Sequence, residues 1–202
     1  MKKLQGIFPI VVILTIVAIP LYQQWQHYQT NRPDYDNPNP SPKTSLAPPS
    51  GQSESWQVVR VTDGDTIVVR SGGREERIRF CGIDAPEIQH GSKAGQPLGE
   101  QSKDYLQQLI DETNGTVVIM ETDRDRYGRL VAEVFTVKAD GEEKSLQDEM
   151  LMAGMAYVYP QYVSSCPNEQ PMRLAETVAQ QHHVGVWSGE YQRPWDYRHQ
   201  NQ

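Results

Sequence analysis

The feature that most narrows the folds open to this chain is a series of short β-branched runs punctuated by tight-turn chemistry. Val58 to Val61 and Thr66 to Val69 flank Asp63-Gly64-Asp65, and Ser71-Gly72-Gly73 leads into a further run that ends at Ile83. Asp-Gly between two β-branched runs is a strong hairpin signal, so the three segments are predicted as a meander of sequential strands. Side chains alternate across a strand, which puts Ile78 and Phe80 on one face and Arg79 on the other. A three-stranded meander also brings the far side of the first turn, with Asp65, beside the end of the third strand.

That strand end carries Asp84-Ala85-Pro86-Glu87, two carboxylates three residues apart in a turn. A guanidinium suits an anionic oxygen that needs bidentate hydrogen bonds, an Asp suits a hard cation, and a nearby Glu can accept a proton. Arg79, Asp65, Asp84 and Glu87 thus read as a phosphate-processing metal site. The plainer reading is a strand ending in a surface ion pair, with Asp63 and Asp65 as ordinary turn residues.

Downstream, Gly99 to Asp111 shows helical spacing through Tyr105, Leu106, Leu109 and Ile110, and Asn114-Gly115 turns it into a strand over Thr116 to Met120. A second strand covers Leu130 to Val137. Between them, Asp123-Arg124-Asp125-Arg126-Tyr127-Gly128-Arg129 puts three arginines and a tyrosine in a tight turn, suited to gripping a phosphate and stacking on a base or sugar. An alternating-charge turn paired with itself is the competing reading. Ser145-x-x-Asp148 resembles a capping box opening a helix to Ala153, and Pro171 marks the start of a last helix that Gly185 stops. Tyr159 and Tyr162 are candidates to line a cleft. His90 and Lys93 fall in a surface loop, and the adjacent His182 and His183 share no helical face, so they are not read as a metal site.

The ends of the chain differ in kind. Lys2 and Lys3 precede an apolar run from Ile7 to Leu21, so residues 1–30 read as a signal peptide or an N-terminal membrane anchor, with the remainder sent across the membrane. Residues 31–55 are rich in Pro, Asn and Ser and form an extended linker. The folded domain is predicted over 56–190, followed by a tail at 191–202. The chain of 202 residues has a formal charge of -7, which argues against a broad cationic surface for coating nucleic acid but leaves room for a local cationic cleft. Two cysteines, Cys81 and Cys166, form either one bridge in an oxidising compartment or two free thiols.

Asp63-Gly64-Asp65-Thr66, Arg79, Asp84-Ala85-Pro86-Glu87, Asp125-Arg126-Tyr127-Gly128-Arg129 and Gly154 to Tyr159 occur in the order and approximate spacing of the staphylococcal-nuclease-like, or thermonuclease, family. The resemblance covers Trp56 to Trp187. It implies a mainly β fold with α (α+β), a five-stranded OB-fold β-barrel with three helices. It also implies a calcium-dependent nuclease that cleaves DNA and RNA, prefers single strands and leaves 3'-phosphate ends. Asp65 and Asp84 would bind calcium through their carboxylates and Ala85 through its backbone carbonyl. Glu87 would activate or position the attacking water, and Arg79 and Arg129 would grip the scissile phosphate. Arg126 and Tyr127 match positions that contact the substrate's terminal phosphate and sugar. The expected protein is a monomer with an extracytoplasmic nuclease domain, tethered to the membrane if the leader stays uncleaved. A catalytically inactive barrel that binds nucleic acid or protein is the alternative.

Overall fold

The computed structural model describes residues 54–139 and 141–201. The leader and nearly all of the linker lie outside these residues. Strand β1 (Ser55–Asp63) opens the fold, and its Asp63 pairs with Thr66 at the head of β2 (Thr66–Ser71), leaving Gly64 and Asp65 as a two-residue turn. The glycine is required there, since a Cβ on Gly64 would collide with the Ser102 side chain and with the Ala85 methyl group. A second turn through Gly72 and Gly73, both at positive φ, leads into β3 (Arg74–Phe80).

The predicted third strand stops three residues early. Gly82 at φ 74° ends it, and a Cβ on that glycine would sit 2.8 Å from Cys166 Sγ. Ile83–Asp84 instead form a separate strand, β4. A disulfide between Cys81 and Cys166, with Cα atoms 5.9 Å apart, joins a distant segment to this strand end. The sequence left this pairing open.

Helix α1 spans Gly99–Asp111, as its periodicity predicts, and buries Ser102, Leu106, Leu109 and Ile110. It leads into β5 (Thr116–Arg124) and β6 (Leu130–Val137). β1 pairs with β2 and β5, β2 with β3, β5 with β6, and β3 runs parallel to β6 with Ile78 opposite Leu130 and Phe80 opposite Ala132. Those five pairings close a five-stranded barrel. Its interior takes alternate residues such as Ile67, Val69, Ile78, Phe80, Val117, Ala132 and Val134, the period-two pattern of a strand with one face in the core.

β7 (Glu143–Ser145) extends the β6 edge, and Ser145 caps α2 (Leu146–Met152) by accepting from the Asp148 N–H at 3.2 Å. β8 (Tyr157–Val158) pairs with β4. Helix α3 (Glu169–Gln181) follows and ends at His182, ahead of the predicted stop at Gly185. A fourth helix, α4 (Pro194–Gln200), stands where the sequence predicts a tail. The architecture is therefore an α+β, OB-type barrel with four α-helices among the described residues rather than three.

Candidate active site

The first hairpin turn and the end of β4 are stitched together by Asp65. Its Oδ1 accepts from Thr66 Oγ1 at 3.1 Å and its Oδ2 from the Ala85 N–H at 2.7 Å, while its own N–H donates to Asp63 Oδ1 at 3.1 Å. The β2–β3 register sets Arg79 opposite Thr66, so the guanidinium reaches Asp65 directly and also donates to Asp84 Oδ1 at 2.7 Å. Asp65 and Asp84 are both buried, at 6% and 1% exposure. Burial pushes the Asp65 carboxyl up, but the Arg79 charge and the Ala85 N–H outweigh it and hold the group below the usual range. At Asp84 burial wins over the Arg79 charge and the group is raised. Asp63 is pushed up to about 7, first by burial and then by the neighbouring Asp65 charge. Burial disfavours the Arg79 cation, yet the surrounding aspartates more than compensate and raise its pKa.

Glu87 is held by its backbone: its N–H donates to Gln96 Oε1 at 3.0 Å and its carbonyl accepts from the Gln96 N–H at 2.8 Å. A Cβ on Gly99 would collide with the same carbonyl, so the start of α1 fixes this turn from behind.

The β5–β6 turn lines the same cleft and is organised by Asp125. Asp125 Oδ1 accepts from the Tyr127 and Arg129 N–H groups, both at 2.9 Å, and Oδ2 accepts from Arg129 Nε at 2.7 Å. These bonds outweigh the effect of burial and hold the Asp125 carboxyl below its ordinary range. Tyr127 is 70% exposed, with the Arg126 guanidinium 4.8 Å above its ring and donating to its hydroxyl at 2.7 Å. Arg129 also faces this ring, at 5.8 Å.

All eight site residues singled out in the sequence, Asp65, Arg79, Asp84, Ala85, Glu87, Arg126, Tyr127 and Arg129, line one cleft of about 820 Å³. They fall in two groups: Arg79 sits among the strand-end carboxylates, and Arg129 is held by Asp125 in the β5–β6 turn. Tyr159 and Tyr162 line the same cleft, whereas His90 and Lys93 do not. Lys93 instead donates to the Asn201 carbonyl at 2.8 Å.

Asp63, Trp195 and Arg198 also line the cleft, and the sequence had not assigned them to it. Asp63 looked like an ordinary turn residue. Trp195 and Arg198 come from α4, whose Pro194 at the first helical turn was the available signal. Trp195 stacks on Tyr159 with centroids 5.2 Å apart and planes 3° from parallel. Arg198 Nη1 donates to Asp84 Oδ1 at 3.0 Å and Glu87 Oε1 at 2.6 Å, and its Nη2 donates to Asp84 Oδ2 at 2.7 Å.

Among the described residues, no three His, Cys, Asp or Glu side chains gather closely enough to hold a metal ion by themselves. The donor set at the strand ends is nevertheless that of a hard cation: two buried aspartates, the Ala85 backbone bonded to one of them, and room for solvent in the cleft. Burial is the first cause of the raised Asp63 and Asp84 carboxyls, and a cation seated beside them would offset it. The residues fit calcium.

A closed five-stranded barrel with a cleft of guanidiniums, carboxylates and exposed tyrosine defines an OB-type protein suited to an anionic, oligonucleotide-like ligand. Residues 77–189 match the family model described as staphylococcal nuclease homologue. An uncharacterized endonuclease of Escherichia coli O157:H7 is 37% identical over 145 residues, which cover 71% of this chain and 84% of that relative. A micrococcal nuclease of Shigella flexneri is 33% identical over 147 residues, covering 70% and 79%. The thermonuclease of Staphylococcus hyicus is 27% identical over 139 residues, covering 69% and 79%. The chain belongs to the staphylococcal nuclease family, and membership makes it a hydrolase of the nuclease class.

Proposed function

We propose that the chain is a calcium-dependent endonuclease that hydrolyses DNA and RNA, prefers single strands and leaves 3'-phosphate ends. The observation that carries this reading is the convergence of Asp65, Arg79, Asp84, Glu87 and Arg129 on one cleft. A phosphodiester is anionic and repels an incoming oxygen nucleophile, so cleavage requires positive charge on both sides of the phosphate. Arg79 and Arg129 supply it within the same cleft, each oriented by carboxylates before substrate arrives. Asp65, Asp84 and the Ala85 carbonyl would hold calcium, which supplies Lewis-acid polarisation of a phosphoryl oxygen when bound.

Glu87 accepts a proton from water as the water oxygen bonds to phosphorus. The bond from phosphorus to the 5'-oxygen breaks, and that oxygen leaves with the electron pair and takes a proton from solvent water, while Glu87 returns its own proton to solvent. The products are a 3'-phosphate and a 5'-hydroxyl. Arg126 and Tyr127 bind the substrate beside the scissile bond, the exposed ring offering a face to a base or sugar. Unstacked bases reach such a ring more readily than paired ones, which supports the preference for single strands.

The Cys81–Cys166 disulfide supports export to an oxidising compartment. The domain then acts as a monomer outside the cytoplasm, released or tethered according to the fate of residues 1–30. The test is cleavage of denatured DNA and of RNA by the full chain with calcium or with chelator, beside Glu87→Gln. Loss of cleavage with chelator and in the variant supports the proposal. A folded wild-type chain that binds single strands without cutting them would instead favour the inactive binding module.

A further inference from the structure

The calcium-ligand carboxylates already have a cationic partner that the family match does not reach. Arg198 lies beyond residues 77–189, yet it makes three charge-assisted hydrogen bonds in the heart of the cleft, two to Asp84 and one to Glu87. Both Asp84 oxygens are engaged by it, and both Asp65 oxygens by Arg79, Thr66 and the Ala85 N–H. A cation drawing on Asp84 therefore approaches an oxygen that a guanidinium already engages, and like charge sets the two against each other.

The two arginines differ in their freedom to leave. Arg79 is 14% exposed, bridges both aspartates and sits on a barrel strand paired on each side. The Arg198 side chain is 37% exposed and belongs to a short surface helix. That helix is fixed by contacts that do not involve Arg198: Trp195 stacks on Tyr159, the Tyr197 hydroxyl donates to the Ala94 carbonyl, and Gln96 Nε2 donates to the Gln192 carbonyl at 2.9 Å. None of these contacts depends on the Arg198 guanidinium.

We infer that Arg198 is an internal cation that holds Asp84 and Glu87 until calcium displaces it, so that α4 sets the calcium threshold of the enzyme. The inference rests on the calcium reading above. A guanidinium brings one charge and directional donors to Asp84, and a calcium ion brings two charges, so the ion wins once its concentration is sufficient. Until then Glu87 Oε1 accepts from Arg198 and is not free to take a proton from water. By reciprocity, whatever Arg198 gains from the carboxylates is subtracted from the affinity for calcium.

The test is a calorimetric titration of calcium, without substrate, into the full chain as wild type, Arg198→Ala, Arg198→Gln and Arg198→Lys, with Asp84→Asn as the control. Arg198→Ala is expected to bind calcium at least about fivefold more tightly, the lower end of ordinary coupling between sites. Arg198→Gln should behave alike, and decides the matter if the alanine variant does not fold. Arg198→Lys, with its charge kept and its fork lost, should fall between them and wild type. Equal or weaker affinity in the neutral variants, with wild type binding calcium normally, overturns the inference and leaves the calcium reading standing. No calcium binding by any of these proteins overturns both.

Discussion

The disulfide offers a perturbation whose size follows from the chain itself. Cys81 and Cys166 are separated by 85 positions, so the bridge closes a long loop in the unfolded chain. Loop-closure entropy for about 85 residues amounts to about 4.6 kcal/mol at room temperature. For a domain of this size, each kcal/mol corresponds to about 2–4 °C, so losing the bridge should lower the melting temperature by roughly 10–18 °C. Both cysteines are buried, so reduction should be carried out on the unfolded chain, followed by refolding in reductant. Urea unfolding followed by tryptophan fluorescence then compares the oxidised and reduced proteins, which share every side chain. A difference within about 1 kcal/mol would refute the reasoning, since a bridge across so long a loop cannot be nearly neutral unless the fold already holds those strands without it.

Other perturbations separate the roles of neighbouring residues. Arg129→Ala should slow cleavage about a hundredfold, the scale of one oriented donor at a developing charge, while changing unfolding free energy by less than about 1 kcal/mol because its pair with Asp125 is partly exposed. Arg79→Ala should slow cleavage comparably but also destabilise the fold by about 3–5 kcal/mol, because it takes the guanidinium from buried Asp65 and leaves buried Asp84 to Arg198; denaturant titration tells the two apart. Glu133 is buried against Asn168, accepting from its N–H at 2.8 Å, and burial raises its pKa despite that bond. A carboxyl raised in the fold stabilises fully only below its unfolded pKa and loses that contribution as pH climbs through the folded one. The melting temperature of Glu133→Gln relative to wild type should therefore rise between pH 4 and pH 8, and a flat difference would contradict this. If Arg79, Arg126 and Arg129 each meet a phosphate, the salt slope on single strands is about -2, and kcat/KM should fall roughly twentyfold between 50 and 200 mM salt.

Much of this was legible because it is local. Asp63-Gly64-Asp65 specifies its hairpin through backbone conformation alone, and the apolar spacing of Gly99–Asp111 gives α1 its bounds. The convergence of Asp65, Arg79, Asp84 and Glu87 follows from a meander with that register. The close packing that demands glycine at position 82 was not legible, because the nearest atom is a sulfur arriving from Cys166. Asp63 gives no sign in sequence that burial will raise it to about 7. Arg198 is 114 positions from Asp84, on a seven-residue helix whose place is set by aromatic contacts with β8 and the following residue rather than by any local pattern.

The most direct test of the central claim is the chemistry of the cut ends. The full chain is incubated with a labelled single-stranded oligonucleotide, with calcium and then with chelator, and the fragments are weighed by mass spectrometry. The account predicts fragments ending in 3'-phosphate, paired with 5'-hydroxyl ends, formed only when calcium is present. Fragments carrying 5'-phosphate, or cleavage undiminished by chelator, would contradict it.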